Sequence, residues 1–233
     1  MLIRSIVFYV LLGLWTILMG IICTPYLFIK SEDMRKPVNF WILGIFKLLK
    51  IVCKITYEIK GNENIPDYPC LIASKHQSAF ETFALYYHLN NSIFIHKKQL
   101  FKIPIFGQYL KKSNMISIER SEGTSAMRKI LRETKKRISS GNSIIIFPEG
   151  TRKKPGEKTK YKTGIIGIYK ETESGILPVA LNSGFFWPKS FFLKSSGKIT
   201  IKFLELIPAK LEKNKILKKI ESVIEEETNN LKN

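Results

Sequence analysis

The distribution of apolar and polar positions first separates an N-terminal segment from the rest of the chain. Residues 5–29 carry no charged side chain, and a helix of that length can cross a hydrocarbon core of about 30 Å. We therefore predict a transmembrane helix. Pro25, near the end of the run, leaves a bent or re-entrant segment as an alternative. A signal peptide is disfavoured because the apolar run is long and no small-residue cleavage site follows it.

A second apolar segment, residues 39–54, has a basic stripe. Lys47, Lys50 and Lys54 recur at helical spacing, and Trp41 and other large apolar side chains occupy most of the remaining circumference. This pattern suits a helix in the headgroup region of a membrane, and an ordinary helix packed on the following domain is the alternative. We interpret residues 1–54 as a two-helix membrane-anchoring segment and residues 55–233 as a single domain.

From residue 55 onward, short apolar runs alternate with amphipathic segments. The runs predict strands at 55–60, 70–74, 92–96, 115–118, 143–146, 175–181 and 199–206. Helical periodicity predicts helices at 82–89, 100–110, 124–139 and 211–231, the second of them broken by Pro104 and Gly107. This order of elements indicates an α/β fold with a mixed central sheet flanked by helices.

Charge and composition restrict the partners. The formal net charge is +19, and 45% of the residues are hydrophobic. Both properties favour a membrane rich in anionic lipid, since each Lys or Arg near such a surface contributes about 1 kcal/mol. Nucleic acid is the competing partner, but we find no zinc-finger spacing, no basic heptad region and no aromatic sheet motif of the RNA-binding kind. Lys30, Arg35 and Lys36 outnumber Arg4 across the first apolar run, which predicts a cytoplasmic domain.

The three cysteines, Cys23, Cys53 and Cys70, are isolated in apolar surroundings. Their odd number and wide spacing argue against a disulfide framework and against a metal site. We expect three buried thiols in a reducing compartment.

Residues suited to proton transfer follow the strand predicted at 70–74. His76 lies in the turn between this strand and the next helix, and Glu81 follows it by five positions. As the turn enters the helix, the Glu81 carboxylate can fold back to one imidazole nitrogen, which fixes the tautomer and leaves the other nitrogen free to accept a proton. Taken alone, the pair also fits a capping histidine and a solvated glutamate.

A second polar turn, Phe147-Pro-Glu-Gly-Thr-Arg152, follows the strand predicted at 143–146. The carboxyl ends of neighbouring strands meet at one edge of an open α/β sheet, where such folds bind ligands. Pro148 restricts the turn, and Gly150 lets the backbone approach a ligand closely. We predict that the two turns form one site.

Four blocks of the sequence together resemble the glycerolipid acyltransferase family. In order they are Lys75-His76-Gln77-Ser78 with Glu81, Ile118-Glu119-Arg120, Phe147 to Arg152, and Leu177-Pro178-Val179-Ala180. Across residues 70–185 they most resemble the 1-acyl-sn-glycerol-3-phosphate acyltransferases. The chain departs from the family at two positions, with Glu81 in place of aspartate and Asn114 in place of glycine. Glutamate can still reach the imidazole, and asparagine tolerates positive φ.

The resemblance implies transfer of a fatty acyl group from acyl-CoA or acyl carrier protein to the sn-2 hydroxyl of a lysophosphatidic acid, giving phosphatidic acid at the cytoplasmic face of a bacterial-type inner membrane. It makes His76 the general base and Glu81 its orienter. Acceptor binding falls to Arg120, Glu149, Gly150, Thr151 and Arg152. No cofactor and no metal is expected beyond the acyl donor itself. The alternatives are an acyltransferase for another lysolipid and a catalytically inactive membrane-bound lipid-binding protein.

Overall fold

The computed structural model describes residues 1–28, 34–103, 106–119, 123–157, 159–189, 192–209 and 211–231. Arg120 and Pro104 therefore lie outside the described residues. The helices within these ranges are α1 (Leu2–Ile22), α2 (Arg35–Leu48), α3 (Phe80–His88), α4 (Phe106–Lys112), α5 (Thr124–Ser139), α6 (Gly164–Thr172) and α7 (Lys213–Asn230). The strands are β1 (Ile55–Lys60), β2 (Leu71–Ser74), β3 (Ser92–Lys97), β4 (Ile116–Ile118), β5 (Ser143–Ile146), β6 (Ile176–Leu181) and β7 (Gly197–Phe203).

The strands form a mixed sheet in the order β1-β7-β6-β2-β5-β3-β4. The strands β6, β2, β5, β3 and β4 run parallel to one another. Strand β7 is antiparallel to β6, and β1 is parallel to β7. Every residue of β2 and β6 is buried, as expected for central strands covered on both faces. The predicted mixed α/β sheet is confirmed.

Side chains on the two faces of the sheet enter two separate apolar cores. In β2, Ile72 contributes to the core that α1, α2 and α3 cover, whereas Leu71 and Ala73 contribute to the core beneath α5, α6 and α7. This alternation follows from the two-residue period of a strand. The helices therefore form one layer on each side of the sheet.

Helix α1 is the one helix, within the described ranges, that is long and apolar enough to cross a membrane. It ends at Ile22, and a 3₁₀ segment, Thr24–Phe28, carries Pro25. Much of its apolar surface is exposed, through side chains such as Ile3, Val10 and Leu14. The opposite side contacts the domain, where Phe8 is completely buried. The helix thus ends before Ile29, because the chain tightens into the 3₁₀ segment.

Helix α2 continues into a π-helical turn, Leu49–Cys53, and packs on the domain through one side. Ile42, Ile45 and Leu49 are buried in the core beneath α1, while Phe40 is exposed. Indole hydrogen bonds tie α2 to α1: Trp15 Nε1 donates to the carbonyl of Trp41 over 2.9 Å, and Trp41 Nε1 donates to Thr16 Oγ1 over 3.1 Å. The interfacial role of α2, and with it the two-helix anchor, stays a prediction.

Candidate active site

Three neighbouring parallel strands deliver the candidate residues to one edge of the sheet. Strand β2 lies between β5 and β6 and runs parallel to both. Their carboxyl ends lead respectively into His76, the 147–152 turn and Ser183. The structure therefore brings together the first and third sequence blocks, and it adds the segment that follows the fourth.

His76 and Glu81 form the predicted pair. The Nδ1 of His76 lies 2.9 Å from Oε1 of Glu81, whose side chain is completely buried, while the histidine side chain keeps 16% of its surface exposed. A proton on Nδ1 faces the carboxylate, so this contact favours the tautomer with an unprotonated Nε2. The histidine Nε2 has no hydrogen-bond partner among the described residues and is available to accept a proton.

The Glu81 carboxylate is held by three further donors. Its Oε1 also accepts the backbone N–H groups of Gln77 and Ser78, each over 2.7 Å, and its Oε2 accepts Ser183 Oγ over 2.7 Å. Hydrogen bonds to an ionised carboxylate are the strong ones and compensate the cost of its burial. The Glu81 carboxylate is thus fixed in place, and through it the imidazole ring.

An aromatic ring packs against one face of the imidazole. Phe147, the first residue of the second turn, stacks on His76 with ring centroids 3.8 Å apart and planes 14° from parallel. Phe147 in turn stacks on Phe94 of β3, at 5.9 Å. The ring of His76 is therefore confined between its carboxylate partner and an aromatic face.

The main chain of His76 is held by the second turn. Its N–H donates to Oε1 of Glu149 over 2.7 Å, and its carbonyl accepts the N–H of Lys153 over 2.8 Å. Glu149 is almost completely buried. Its other oxygen, Oε2, accepts the ammonium of Lys75 over 3.2 Å. Burial raises the pKa of the Glu149 carboxyl, and the charge of Lys75 opposes that rise.

The remaining predicted acceptor residues in this turn follow Glu149 directly. Gly150 adopts φ +72°, the left-handed conformation that favours glycine. Thr151 is exposed, and its hydroxyl accepts a hydrogen bond from the ammonium of Lys189 over 3.3 Å. Arg152 is half-buried, and its guanidinium makes no ion pair with any residue that the structure describes. The predicted roles of these residues stay predictions, as does that of Arg120.

An apolar cavity of about 130 Å³ lies between α1, α2, α3 and α4. Its lining includes Met19 of α1, Trp41 of α2, Phe83 of α3 and Phe94 of β3. Because Phe94 stacks on Phe147 and Phe147 stacks on His76, a line of aromatic rings connects the cavity to the candidate base. The arrangement suits a ligand with one polar end and one long apolar end.

Sequence reasoning missed two contributors to the site. Ser183 binds Glu81 from 102 positions away in the chain; the only available signal was its place after an apolar strand. Lys75 stood inside a recognised block, but a lysine at the end of a strand was not expected to be buried. Its ammonium contacts Glu225 of α7 over 2.6 Å as well as Glu149.

The family comparison covers the region that builds the site. The model of the family described as Acyltransferase matches residues 56–182. The 1-acyl-sn-glycerol-3-phosphate acyltransferase of Pseudomonas aeruginosa is 33% identical over 202 residues, which are 85% of this chain and 78% of that protein. The chloroplastic 1-acyl-sn-glycerol-3-phosphate acyltransferase BAT2 of Brassica napus is 28% identical over 76% of this chain, which spans about half of that longer protein (53%).

The fold has a solved counterpart. The crystal structure of the 1-acyl-sn-glycerophosphate (LPA) acyltransferase PlsC from Thermotoga maritima superposes with a TM-score of 0.80 over 99% of this chain and 95% of that one. At 24% identity this likeness concerns the fold. The family match across the site and the extent of the Pseudomonas similarity together establish that this chain belongs to the acyltransferase family.

Proposed function

We propose that the protein transfers a fatty acyl group from an acyl thioester to the sn-2 hydroxyl of 1-acyl-sn-glycerol-3-phosphate, giving phosphatidic acid. The observation that carries this proposal is the contact of His76 Nδ1 with the buried carboxylate of Glu81, which leaves Nε2 free at the sheet edge. The names of the relatives from Pseudomonas aeruginosa and Brassica napus support the choice of acceptor.

In this mechanism His76 acts as a general base. Its Nε2 takes the proton of the sn-2 hydroxyl while the hydroxyl oxygen attacks the thioester carbonyl. The resulting imidazolium is stabilised by Glu81, and the tetrahedral intermediate collapses as the thiolate leaves and recovers that proton. A positioned base contributes about 10²- to 10⁴-fold. The attack is direct, since no nucleophile-elbow glycine pattern surrounds a serine or cysteine.

The acceptor phosphate is assigned to cationic groups beside the second turn. Arg152 is half-buried with no counter-ion among the described residues, and Lys189 lies beside Thr151. A guanidinium binds two phosphate oxygens at once, which suits this task. Arg120 joins this group through the resemblance alone. Glu149 takes a different place: its two oxygens bind the main chain of His76 and the ammonium of Lys75, so we assign it to holding the site.

The acyl chains are assigned to the apolar cavity and to the membrane that α1 enters. The cavity is lined partly by α1, so a lipid chain can enter it from the bilayer beside apolar side chains. In this proposal the domain lies against the membrane surface, where its net charge of +19 favours anionic lipid. The charge asymmetry around α1 predicts the cytoplasmic face. Acyl-CoA and acyl carrier protein both present a phosphopantetheine thioester, and either can serve as the donor.

The test is acyl transfer to 1-acyl-sn-glycerol-3-phosphate in membranes, with labelled acyl-CoA and labelled acyl carrier protein as separate donors. His76→Ala should abolish product formation. His88→Ala is the matched control, since the Nε2 of His88 contacts the hydroxyl of Tyr57, away from the site. A dephosphorylated acceptor should be a poor substrate; equal activity on it would favour another lysolipid. Undiminished activity in His76→Ala would refute the mechanism. No wild-type transfer with any donor would favour a lipid-binding protein.

A further inference from the structure

A buried ionic cluster connects the C-terminal helix to the main chain of the candidate base. It consists of Lys75, Glu149, Glu225 and Tyr161, and we refer to it as the Lys75 bridge. The ammonium of Lys75 lies 3.2 Å from Glu149 Oε2 and 2.6 Å from Glu225 Oε1. The phenol of Tyr161 donates to the same Glu225 oxygen over 2.9 Å. The side chains of Lys75 and Glu149 are 2% and 0% exposed, and that of Glu225 is 30% exposed.

The bridge ends on the backbone of His76. Glu149 uses one oxygen for Lys75 and the other for the N–H of His76, at 2.7 Å. An ionised carboxylate is a stronger hydrogen-bond acceptor than a neutral one. Burial favours the neutral form of Glu149, and the carboxylate of Glu225 adds to this, whereas the charge of Lys75 opposes it. The ammonium therefore decides how firmly Glu149 holds the His76 amide.

We propose that Lys75 is a positioning residue that fixes the backbone of His76 by keeping Glu149 ionised and in place, and that Glu225 and Tyr161 hold the Lys75 ammonium at Glu149. The expected effect on kcat rests on the proposed function. The hydrogen bond at the His76 amide does not, and it can be tested whether or not the protein transfers an acyl group. Lys75 acts on His76 indirectly. Its ammonium hydrogen-bonds to Glu149 and Glu225, and the structure gives it no contact with the His76 imidazole.

The first test measures hydrogen exchange at the His76 amide by mass spectrometry, on the full chain in detergent. Lys75→Met should speed exchange at this amide about tenfold or more, as expected when a hydrogen bond to a charged group is weakened. Glu225→Gln should have a smaller effect in the same direction. Glu227→Gln is the matched control: it breaks the 2.8 Å ion pair between Glu227 and Lys202, which joins the same helix to β7 away from the site.

The second test is kinetic. Lys75→Met should lower kcat about 10²-fold, the effect of a small misplacement of a catalytic group, with an unchanged KM for the acceptor. The double variant Lys75→Met/Glu149→Gln should lose no more than Lys75→Met alone, because in both variants a neutral oxygen at position 149 accepts the His76 N–H. Glu227→Gln should retain wild-type kcat. Losses that multiply in the double variant would mean that Lys75 is only a packing element.

The two tests separate the two proposals. Absence of acyl transfer by the wild type would refute the proposed function, and the exchange rates would still decide the role of the bridge. Unchanged exchange at His76 in Lys75→Met and in Glu225→Gln would overturn it, whatever the activity. Where Lys75→Met fails to fold, Glu225→Gln decides, since it removes the charge that holds the ammonium while it retains the Lys75 and Tyr161 side chains. Equal exchange increases in Glu225→Gln and Glu227→Gln would likewise refute the bridge, because they would reflect loosening of α7 alone.

Discussion

Glu81→Gln isolates the charge of the carboxylate that orients His76. The amide has the same length and shape, its oxygen can accept the same donors as Oε1, and Ser183 can rotate its hydroxyl to accept from the new NH₂ group. What disappears is the negative charge beside the imidazolium formed during acyl transfer. Two unit charges about 4 Å apart at an effective dielectric constant of about 20 interact by about 4 kcal/mol. We therefore expect kcat to fall about 10³-fold.

The assay is single-turnover acyl transfer with saturating acceptor, so that chemistry is separated from binding and product release. Glu58→Gln is the control: Glu58 contacts Lys198 and Thr200 across the β1 and β7 pair, away from the site. The melting temperature of Glu81→Gln is measured alongside, to show that the domain is folded. A folded Glu81→Gln enzyme within about tenfold of the wild type would refute charge stabilisation by Glu81.

Substitutions at three further positions test individual parts of the structure. Ser183→Ala removes one of the four donors to Glu81, and should lower the free energy of unfolding by about 1.5–3 kcal/mol and kcat by less than Glu81→Gln does; denaturant unfolding and turnover measure both. Gly150→Val places a β-branched side chain at φ +72° and should cost about 1–2 kcal/mol, with a smaller cost for Gly150→Asn by the same unfolding assay. Burial lowers the pKa of Lys194 to about 8, from an ordinary 10.5. Because the unfolded chain binds the extra proton between these values, the melting temperature of the wild type relative to Lys194→Met should rise as pH increases from 8 to 10.5; a flat difference would contradict this.

Most strands and helices of the fold could be predicted from the periodicity of apolar residues in the sequence. The ranges of β1, β5 and α5 agree with their predicted bounds, and most other predicted strands and helices differ by a few residues at their ends. The exception is the helix predicted at 100–110, where a 3₁₀ segment, Lys98–Lys102, precedes α4. Asn114 has φ +57°, as expected for an asparagine in place of a glycine. The cysteines Cys23, Cys53 and Cys70 are free and buried, as predicted. These features depend on local pattern and side-chain chemistry, which a sequence displays directly.

Several contacts in the site join residues far apart in the chain and could not be predicted from local sequence pattern. The contact of Ser183 with Glu81 depends on β6 lying beside β2 in the sheet, although the two strands are far apart in the chain. The resemblance also assigned Glu149 to acceptor binding. In the structure its oxygens bind His76 and Lys75, and the Lys75 ammonium also contacts Glu225, on the last helix. Such long-range charge pairing has no periodic signature.

The departure from aspartate at position 81 has a physical explanation in the geometry of the turn. Glu81 lies in the first turn of α3, and its side chain folds back over the residues that precede the helix. One oxygen thereby reaches the His76 ring and the N–H groups of Gln77 and Ser78, while the other reaches Ser183. The extra methylene is thus taken up within the turn, and the distance to the imidazole remains that of a direct hydrogen bond. Because the second turn holds the His76 backbone independently, through Glu149, the exchange of aspartate for glutamate leaves the base held from both sides.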